Sequence, residues 1–140
     1  MDNTWVLDSY AVLALLQGEA GGDDVLAVLQ EAQAGASRVT MTWVNVGEVV
    51  YIVERRWGMD KVHQVLGMLE ATALEITDVD RDLALGAAAI RARNPVAYAD
   101  AFAAALAVRQ DATLMTGDPE FQSLEGPVQI HWLPAKTTDP

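Results

Sequence analysis

Cysteine is absent from the 140 residues of the sequence, and this absence excludes a disulfide framework, thiolate metal sites and thiol catalysis. Long apolar runs are absent as well, since none reaches the roughly 18 residues that a membrane-spanning helix needs. The first residues, MDNTWVLDSY, lack the basic region and the apolar segment of a signal peptide. We therefore expect no membrane partner, and we expect the protein in the cytoplasm, whose reducing conditions suit a chain without disulfides.

Basic residues are scarce, because 9 Lys and Arg stand against 20 Asp and Glu, for a net charge of -11. Binding to nucleic acid is driven by Lys and Arg that release counterions, so this composition by itself disfavours a nucleic-acid partner. A second interpretation is that several acids cluster to hold divalent cations, which reverses the local sign of the potential. The composition leaves both interpretations open.

Strand-like and helix-like segments alternate along the chain. Hydrophobic residues make up 51% of the sequence, which together with the length predicts one packed domain at 1–134 and a short C-terminal tail at 135–140. The alternation predicts an α/β fold with a mostly parallel sheet of about five strands, covered by helices on both faces. The predicted strands lie at 4–8, 38–42, 74–77, 113–116 and 128–133.

Two aspartates follow predicted strands at the points where helices begin. Asp8 ends the first strand, and Asp118 follows the fourth, with Pro119 at the first position of a short helix. Each is explained as a helix N-cap. In open α/β sheets, however, ligands bind beyond the carboxyl ends of the strands, at the point where the strand order reverses. If the first and fourth strands are neighbours, the two carboxylates share one crevice.

Two further carboxylates lie inside helical, mostly apolar segments. Glu48 is surrounded by apolar residues in WVNVGEVVYIV, where an unpaired buried carboxylate is costly. The alternative is a narrow polar stripe with Asn45 and Arg55 that faces water. Asp100 lies in VAYADAFAAALAV, although Asp is an unfavourable residue in the interior of a helix. Its alternative role is to complement the helix dipole in a first turn.

Taken together, the four carboxylates predict an all-oxygen metal site. Carboxylate and water oxygens are the ligands that Mg²⁺ and Mn²⁺ prefer. Such a site activates water and neutralises phosphoryl oxygens. The members of this site are Asp8, Glu48, Asp100 and Asp118.

Four segments of the sequence resemble the signature blocks of PIN-domain proteins, and their order and spacing are most similar to VapC-type toxins of bacterial toxin–antitoxin pairs. The resemblance extends from about residue 4 to residue 132. The four blocks are WVLDSYAVLALLQGE, NVGEVVYIVERRWG, AYADAFAAALA and TLMTGDPEF.

The resemblance implies a three-layer PIN-like fold and an endoribonuclease that hydrolyses RNA phosphodiesters with Mg²⁺ or Mn²⁺. It implies that the same four acids form the catalytic pocket, and it matches Thr116 to a position that orients a carboxylate or a water. Asn45, one turn before Glu48, is a weaker candidate for that supporting role. It also implies a homodimer silenced by a cognate antitoxin, whose peptide occupies a hydrophobic groove. Tyr10 departs from the family pattern, in which a small polar residue is common.

Two other functions remain open at this level. One is another Mg²⁺-dependent phosphoryl-transfer enzyme, although an aspartyl-phosphate enzyme of the haloacid dehalogenase kind usually has a second acid where Tyr10 stands. The other is a non-catalytic PIN-like module that only binds a partner. Contact with RNA requires a basic rim around the pocket, for which the sequence offers Arg55, Arg56, Arg91 and Arg93.

Overall fold

The predicted alternation of strands and helices is confirmed in the computed structural model, which describes residues 3–134. The five strands are β1 (Asn3–Leu7), β2 (Ser37–Thr42), β3 (Glu75–Thr77), β4 (Thr113–Thr116) and β5 (Gln129–Trp132). The six α-helices are α1 (Ser9–Leu16), α2 (Gly22–Gln33), α3 (Trp43–Trp57), α4 (Met59–Ala71), α5 (Arg81–Arg93) and α6 (Tyr98–Gln110). A 3₁₀ helix covers Pro119–Leu124. The predicted tail, 135–140, lies outside the described residues, so the division into domain and tail stays a prediction.

The five strands form one sheet in the order β3-β2-β1-β4-β5. Every pairing in this sheet is parallel, where the sequence predicted a mostly parallel one. Val6 of β1 pairs with Thr40 on one side and with Leu114 on the other. The first and fourth strands are therefore neighbours, and the order of the strands reverses between them. This is the switch point at which α/β sheets bind ligands.

Helices cover both faces of the sheet, and alternate residues of each strand supply the two cores. Leu7 and Met115 pack with α1, α2, α3 and α4 on one face. Val6 and Leu114 pack with α5 and α6 on the other. None of the helices within residues 3–134 is long and apolar enough to cross a membrane.

The apolar side of α3 belongs to the first core. Val46, Val49 and Val53 recur along one side of the helix and are at most 1% exposed. These side chains contact the protein's own core, so this side of α3 is not a free surface for a partner. The exposed positions of α3 include Trp43, Tyr51 and the basic residues of its last turn.

Candidate active site

Asp8 lies at the carboxyl end of β1, and the protein holds its carboxylate in place from two sides. The side chain is 1% exposed and caps α1, because Oδ1 accepts the backbone N–H of Ala11 at 2.8 Å. Oδ2 accepts the hydroxyl of Thr116 at 2.5 Å. The capping role considered from the sequence is therefore present, and it fixes the direction of the carboxylate at the switch point.

Asp118 lies next to this pair, just beyond the end of β4. Its backbone N–H donates to Oγ1 of Thr116 at 3.0 Å, so one threonine hydroxyl contacts both strand-end aspartates. Oδ1 of Asp118 accepts the backbone N–H of Glu120 at 3.0 Å and caps the 3₁₀ helix. Asp8 and Asp118 thus each cap a helix, and both also lie at the same end of the sheet.

Asp100 enters the site from the first turn of α6. It is 6% exposed, and the helix that carries it is lined by buried alanines, whose small side chains let the backbone approach the sheet closely. One carboxylate oxygen from each of Asp100, Asp118 and Glu120 lies within 4.8 Å of the others. Asp8 and Glu48 do not belong to this group of three, although both lie close enough for their charges to act on Asp100.

The side chain of Glu48 in α3 is directed towards the residues around Asp8 and is only partly exposed to solvent. Its side chain is half-buried and Oε1 accepts a hydrogen bond from the hydroxyl of Ser9, the residue that follows Asp8. The polar stripe considered from the sequence is wrong for Asn45, which is 0% exposed. Arg55 of the same proposed stripe is exposed to solvent.

Asn45 connects the two helices that carry Glu48 and Asp100. Its Nδ2 donates to the backbone carbonyl of Ala99 at 3.0 Å, and its Oδ1 accepts the hydroxyl of Thr42 at 2.6 Å. Thr42 in turn caps α3 by accepting the backbone N–H of Asn45. The amide therefore holds the first turn of α3 against the residue that precedes Asp100. The supporting role of Asn45 at the site stays a prediction.

Burial, with a smaller contribution from the neighbouring acids, raises the pKa of Asp8 and of Asp100. Burial is the main reason that the pKa of Asp8 rises to about 7, and the charges of Asp118 and Glu48 add to it, while the hydrogen bonds from Thr116 and Ala11 oppose it. The pKa of Asp100 is also raised, first by burial, then by the charge of Asp118 and by a hydrogen bond with Glu120.

None of the ion pairs given by the described part of the chain involves the acids of the site. The ion pairs seen within residues 3–134 join basic groups to other acids, namely Glu75, Asp82, Asp80 and Asp24. A buried carboxylate is stable only when it is protonated, paired or bound to a metal. The donor set here consists of carboxylate and hydroxyl oxygens, which fits Mg²⁺ or Mn²⁺ and does not fit a metal that prefers sulfur or imidazole.

From the sequence, no contact at this site was predicted for three residues, namely Glu120, Ser9 and Tyr10. Glu120 follows Asp118 by two positions, and an acid in the first turn of a short helix has a sufficient local explanation in the helix dipole. Ser9 follows Asp8 directly, and its contact with Glu48 depends on the packing of α3. The ring of Tyr10 lies against Gly117, where a Cβ would be 2.3 Å from the nearest ring atom. The ring of Tyr10 thus packs against the residue that precedes Asp118.

The sequence profile of the PIN domain matches residues 5–127. A search of curated proteins finds no match. Three solved structures show the similarity in fold.

The VapBC2 complex of Rickettsia felis, solved with a DNA fragment from its promoter, contains a chain with a TM-score of 0.73 and 16% identity, covering 94% of this chain and 99% of that one. A DNA-bound VapBC from Salmonella typhimurium gives a TM-score of 0.71 at 19% identity, with 94% and 98% covered. The VapC20 toxin of Mycobacterium tuberculosis, described as cleaving the sarcin–ricin loop, gives 0.66 at 17% identity, with 86% and 95% covered.

Proposed function

The chain belongs to the PIN-domain family, and from that premise we propose that it is a Mg²⁺- or Mn²⁺-dependent endoribonuclease, the toxin of a type II toxin–antitoxin pair acting in the cytoplasm. The observation that carries the proposal is the convergence of carboxylates from β1, α3, α6 and the end of β4 at the switch point of the sheet. Similarity in fold to toxins of VapBC pairs supports it.

In this proposal Asp8, Asp100 and Asp118 hold the cation, and Glu48 acts through a bound water or a second ion. A divalent cation in such a site lowers the pKa of a bound water and neutralises charge on the phosphate. The protein's own contribution is orientation. Thr116 and Ala11 fix both oxygens of Asp8, and Ser9 fixes Glu48, so the carboxylates need little reorganisation when substrate binds.

The basic residues that would contact RNA differ in their position relative to the acids. Helices α5 and α6 pack antiparallel, because Asp80 before α5 binds Arg109 near the end of α6 at 2.9 Å and Gly86 faces Ala105. This pairing brings Arg91 level with the first turn of α6, which carries Asp100. Arg55 and Arg56 instead lie in the last turn of α3. We therefore assign the phosphate contact to the end of α5, where Arg91 and Arg93 lie.

An apolar groove offers a docking surface for the antitoxin. It has a volume of about 500 Å³ and runs between α1, α2 and α4, away from the buried side of α3. An amphipathic segment of the antitoxin would place its apolar side chains there, as helices do in hydrophobic grooves. Leu26, which lines the groove, is 43% exposed, so Leu26→Glu should reduce antitoxin affinity without opening the core. Val79→Glu, at an exposed apolar position that lines neither this groove nor the surface of α5 and α6, is the matched control.

The proposed homodimer would use a different surface. Leu85 of α5 and Val108 of α6 are 53% and 56% exposed, and Val108 borders a smaller apolar groove of about 300 Å³ between these helices. Sedimentation of the purified chain measures the association. Leu85→Glu should shift the mass towards the monomer.

The function is tested by incubating the purified, antitoxin-free protein with total RNA, with and without Mn²⁺, beside Asp8→Asn. Metal-dependent cleavage by the wild type and none by the variant is the expected result. An Asp8→Asn protein that cleaves as well as the wild type would refute the role of Asp8. Cation binding and antitoxin binding without cleavage of any RNA would favour the non-catalytic module.

A further inference from the structure

Exposed aromatic side chains are concentrated on α3 and at the start of α6. The sequence has nine aromatic residues, four Trp, three Tyr and two Phe. The four exposed ones are Trp43, Tyr51 and Trp57 of α3 and Tyr98 of α6. The ring of Tyr98 packs against Phe102, with 4.9 Å between the centroids, and Arg56 lies over the ring of Trp57. Tyr51 has no such neighbour within residues 3–134.

Tyr51 lies one turn after Glu48 on the same side of α3. Residues three or four positions apart are neighbours on a helix surface, and Tyr51 and Arg55 follow Glu48 by three and seven positions. The hydrogen bond from Ser9 holds Glu48 beside Asp8, so one end of this row of side chains lies at the acids. We call Glu48, Tyr51 and Arg55 the α3 row. It extends roughly 10 Å along the helix, at about 1.5 Å per residue.

The fold makes no use of the outer two side chains of the α3 row. Tyr51 is 51% exposed, and Arg55 is exposed as well. In the part of the chain that the structure describes, neither forms a hydrogen bond, an ion pair or a ring contact. An aromatic ring and a cationic group beside it are what proteins use to hold the bases and the phosphates of a single strand.

The surroundings of Tyr51 suit a base better than a second copy of the protein. Its neighbours at helical spacing are Gly47, Glu48, Glu54 and Arg55. The ring is therefore a single apolar surface among small and polar groups, and it is not part of the larger apolar patch that a protein interface needs. A Cβ at Gly47 would meet no atom within 4 Å, so the space beside that position is open.

We propose that Tyr51 stacks on a base of single-stranded RNA beside the scissile phosphate, and that Arg55 contacts the phosphate that follows. This inference rests on the proposed nuclease and adds to it a substrate class, because a base reaches a protein ring only where it is free of a partner strand. The contact is additional to the one assigned to Arg91. A strand that runs from Arg91 to Tyr51 passes Asp100 on α6 and Glu48 on α3.

The test is the binding of a fluorescent single-stranded oligoadenylate of about 12 nucleotides, a length within the site sizes of single-strand binders. Anisotropy is measured on the full chain with Mn²⁺, in the Asp8→Asn background so that binding is observed without cleavage. Adding Tyr51→Leu should weaken binding about fivefold or more, the scale of one stacked base, whereas Tyr51→Phe, which keeps the ring, should stay within about twofold. Trp57→Leu is the matched control, because Trp57 is 49% exposed on the same helix but lies outside the α3 row.

Arg55→Gln should reduce the slope of log affinity against log salt by about one, and Arg56→Gln should not. In the otherwise wild-type chain, Tyr51→Leu should raise KM for cleavage and leave kcat nearly unchanged, because the ring does not touch the reacting atoms.

Three results overturn the inference and leave the proposed nuclease standing. The first is equal oligoadenylate binding with and without Tyr51→Leu while the otherwise wild-type chain still cleaves RNA. The second is an equally large loss in Trp57→Leu, since the effect would not depend on the position of the ring. The third is a shift of the sedimenting mass towards the monomer in Tyr51→Leu, which would assign the ring to an interface between two copies. A wild-type chain that cleaves no RNA with Mn²⁺ removes both proposals.

Discussion

The hydroxyl of Thr116 donates to Oδ2 of Asp8 across 108 positions of sequence, from the end of β4 to the end of β1. Oγ1 of Thr116 also accepts the backbone N–H of Asp118. One buried side chain, 0% exposed, thus joins the carboxylate of Asp8 to the backbone of Asp118. The supporting role expected for Thr116 stays a prediction, and the hydrogen bond to Asp8 is the contact through which it would act.

Replacing Thr116 by Val keeps the shape of the side chain and removes both hydrogen bonds. We expect a loss of about 1–3 kcal/mol in the free energy of unfolding, the usual cost of leaving a buried polar group without its partner. Cation affinity should fall as well, because Asp8 loses its orientation. Chemical denaturation and calorimetric titration measure the two effects, and Thr116→Ser, which keeps the hydroxyl, should retain most of both. A Val variant with unchanged cation affinity would contradict the orienting role.

Without metal, the raised pKa values make the folded state less stable as the pH rises. Burial raises the pKa of Asp8 to about 7 and also raises that of Asp100, whereas the unfolded values are close to 4. The folded state therefore binds more protons between about pH 4 and pH 7, and its stability falls as the pH increases through this range. Melting temperatures measured from pH 5 to pH 8 in the presence of a chelator test this direction. A rise in stability over the same interval would show that these groups do not dominate.

Divalent cations should reverse that trend. Mg²⁺ or Mn²⁺ competes with protons for the same oxygens, so its affinity should increase as the pH rises through 7. Binding to the folded state raises the melting temperature by mass action. The increase at millimolar Mn²⁺ should therefore be larger at pH 8 than at pH 6. Ca²⁺ and an equal ionic strength of NaCl are suitable comparisons, and no shift with any divalent cation would contradict a cation site.

The position of the Tyr10 ring leaves no room for a side chain at Gly117. A Cβ at this position would lie 2.3 to 2.8 Å from three atoms of the Tyr10 side chain, closer than non-bonded atoms approach. We expect Gly117→Ala to destabilise the protein by about 1–3 kcal/mol. The double variant with Tyr10→Ala should recover a large part of the loss, and the coupling energy of the double-mutant cycle measures the contact. Additive effects of the two substitutions would contradict it.

The contribution of Arg91 to RNA binding is visible in the salt dependence of cleavage. Each phosphate contact that is lost reduces the slope of log kcat/KM against log salt by about one. Arg91→Gln should show this reduction together with a higher KM. Arg81→Gln is the control, because Arg81 lies at the opposite end of α5 and pairs with Asp82 at 3.1 Å. If Arg91→Gln and Arg81→Gln have the same salt slope, the RNA does not contact the end of α5 that carries Arg91.

Asn45→Ala tests whether the contact between α3 and α6 matters for the site. The substitution leaves the Ala99 carbonyl and the Thr42 hydroxyl without their partner, and we expect a cost of about 1–3 kcal/mol. Glu48 lies on α3 and Asp100 on α6, and the substitution removes the hydrogen bond that joins these helices. Cation affinity should therefore decrease along with stability. Thr72→Ala, which removes a cap at the end of α4, gives a stability loss far from the acids and should leave cation affinity unchanged.

The sequence by itself determined the order of strands and helices, and it singled out four acids as candidates. Short apolar segments bounded by polar residues and glycines define strands, and apolar residues at helical spacing define helices, so local patterns were sufficient for the α/β fold. Asp8 and Asp118 are recognisable because a carboxylate that follows a strand has a defined place in a parallel sheet. Glu48 and Asp100 stand out because acids are costly in apolar helices.

Only the tertiary structure decided which neighbours complete the site. The approach of the Glu120 and Asp100 carboxylates to within 4.8 Å, the hydrogen bond from Asn45 to Ala99 and the contact of Ser9 with Glu48 each join residues that are 20 or more positions apart. No periodicity marks them, since each residue also has an adequate local explanation as a first-turn acid, a polar stripe or a helix start. Local interactions fix the backbone of each segment, whereas the distances between side chains of different segments depend on how the two cores pack against the sheet.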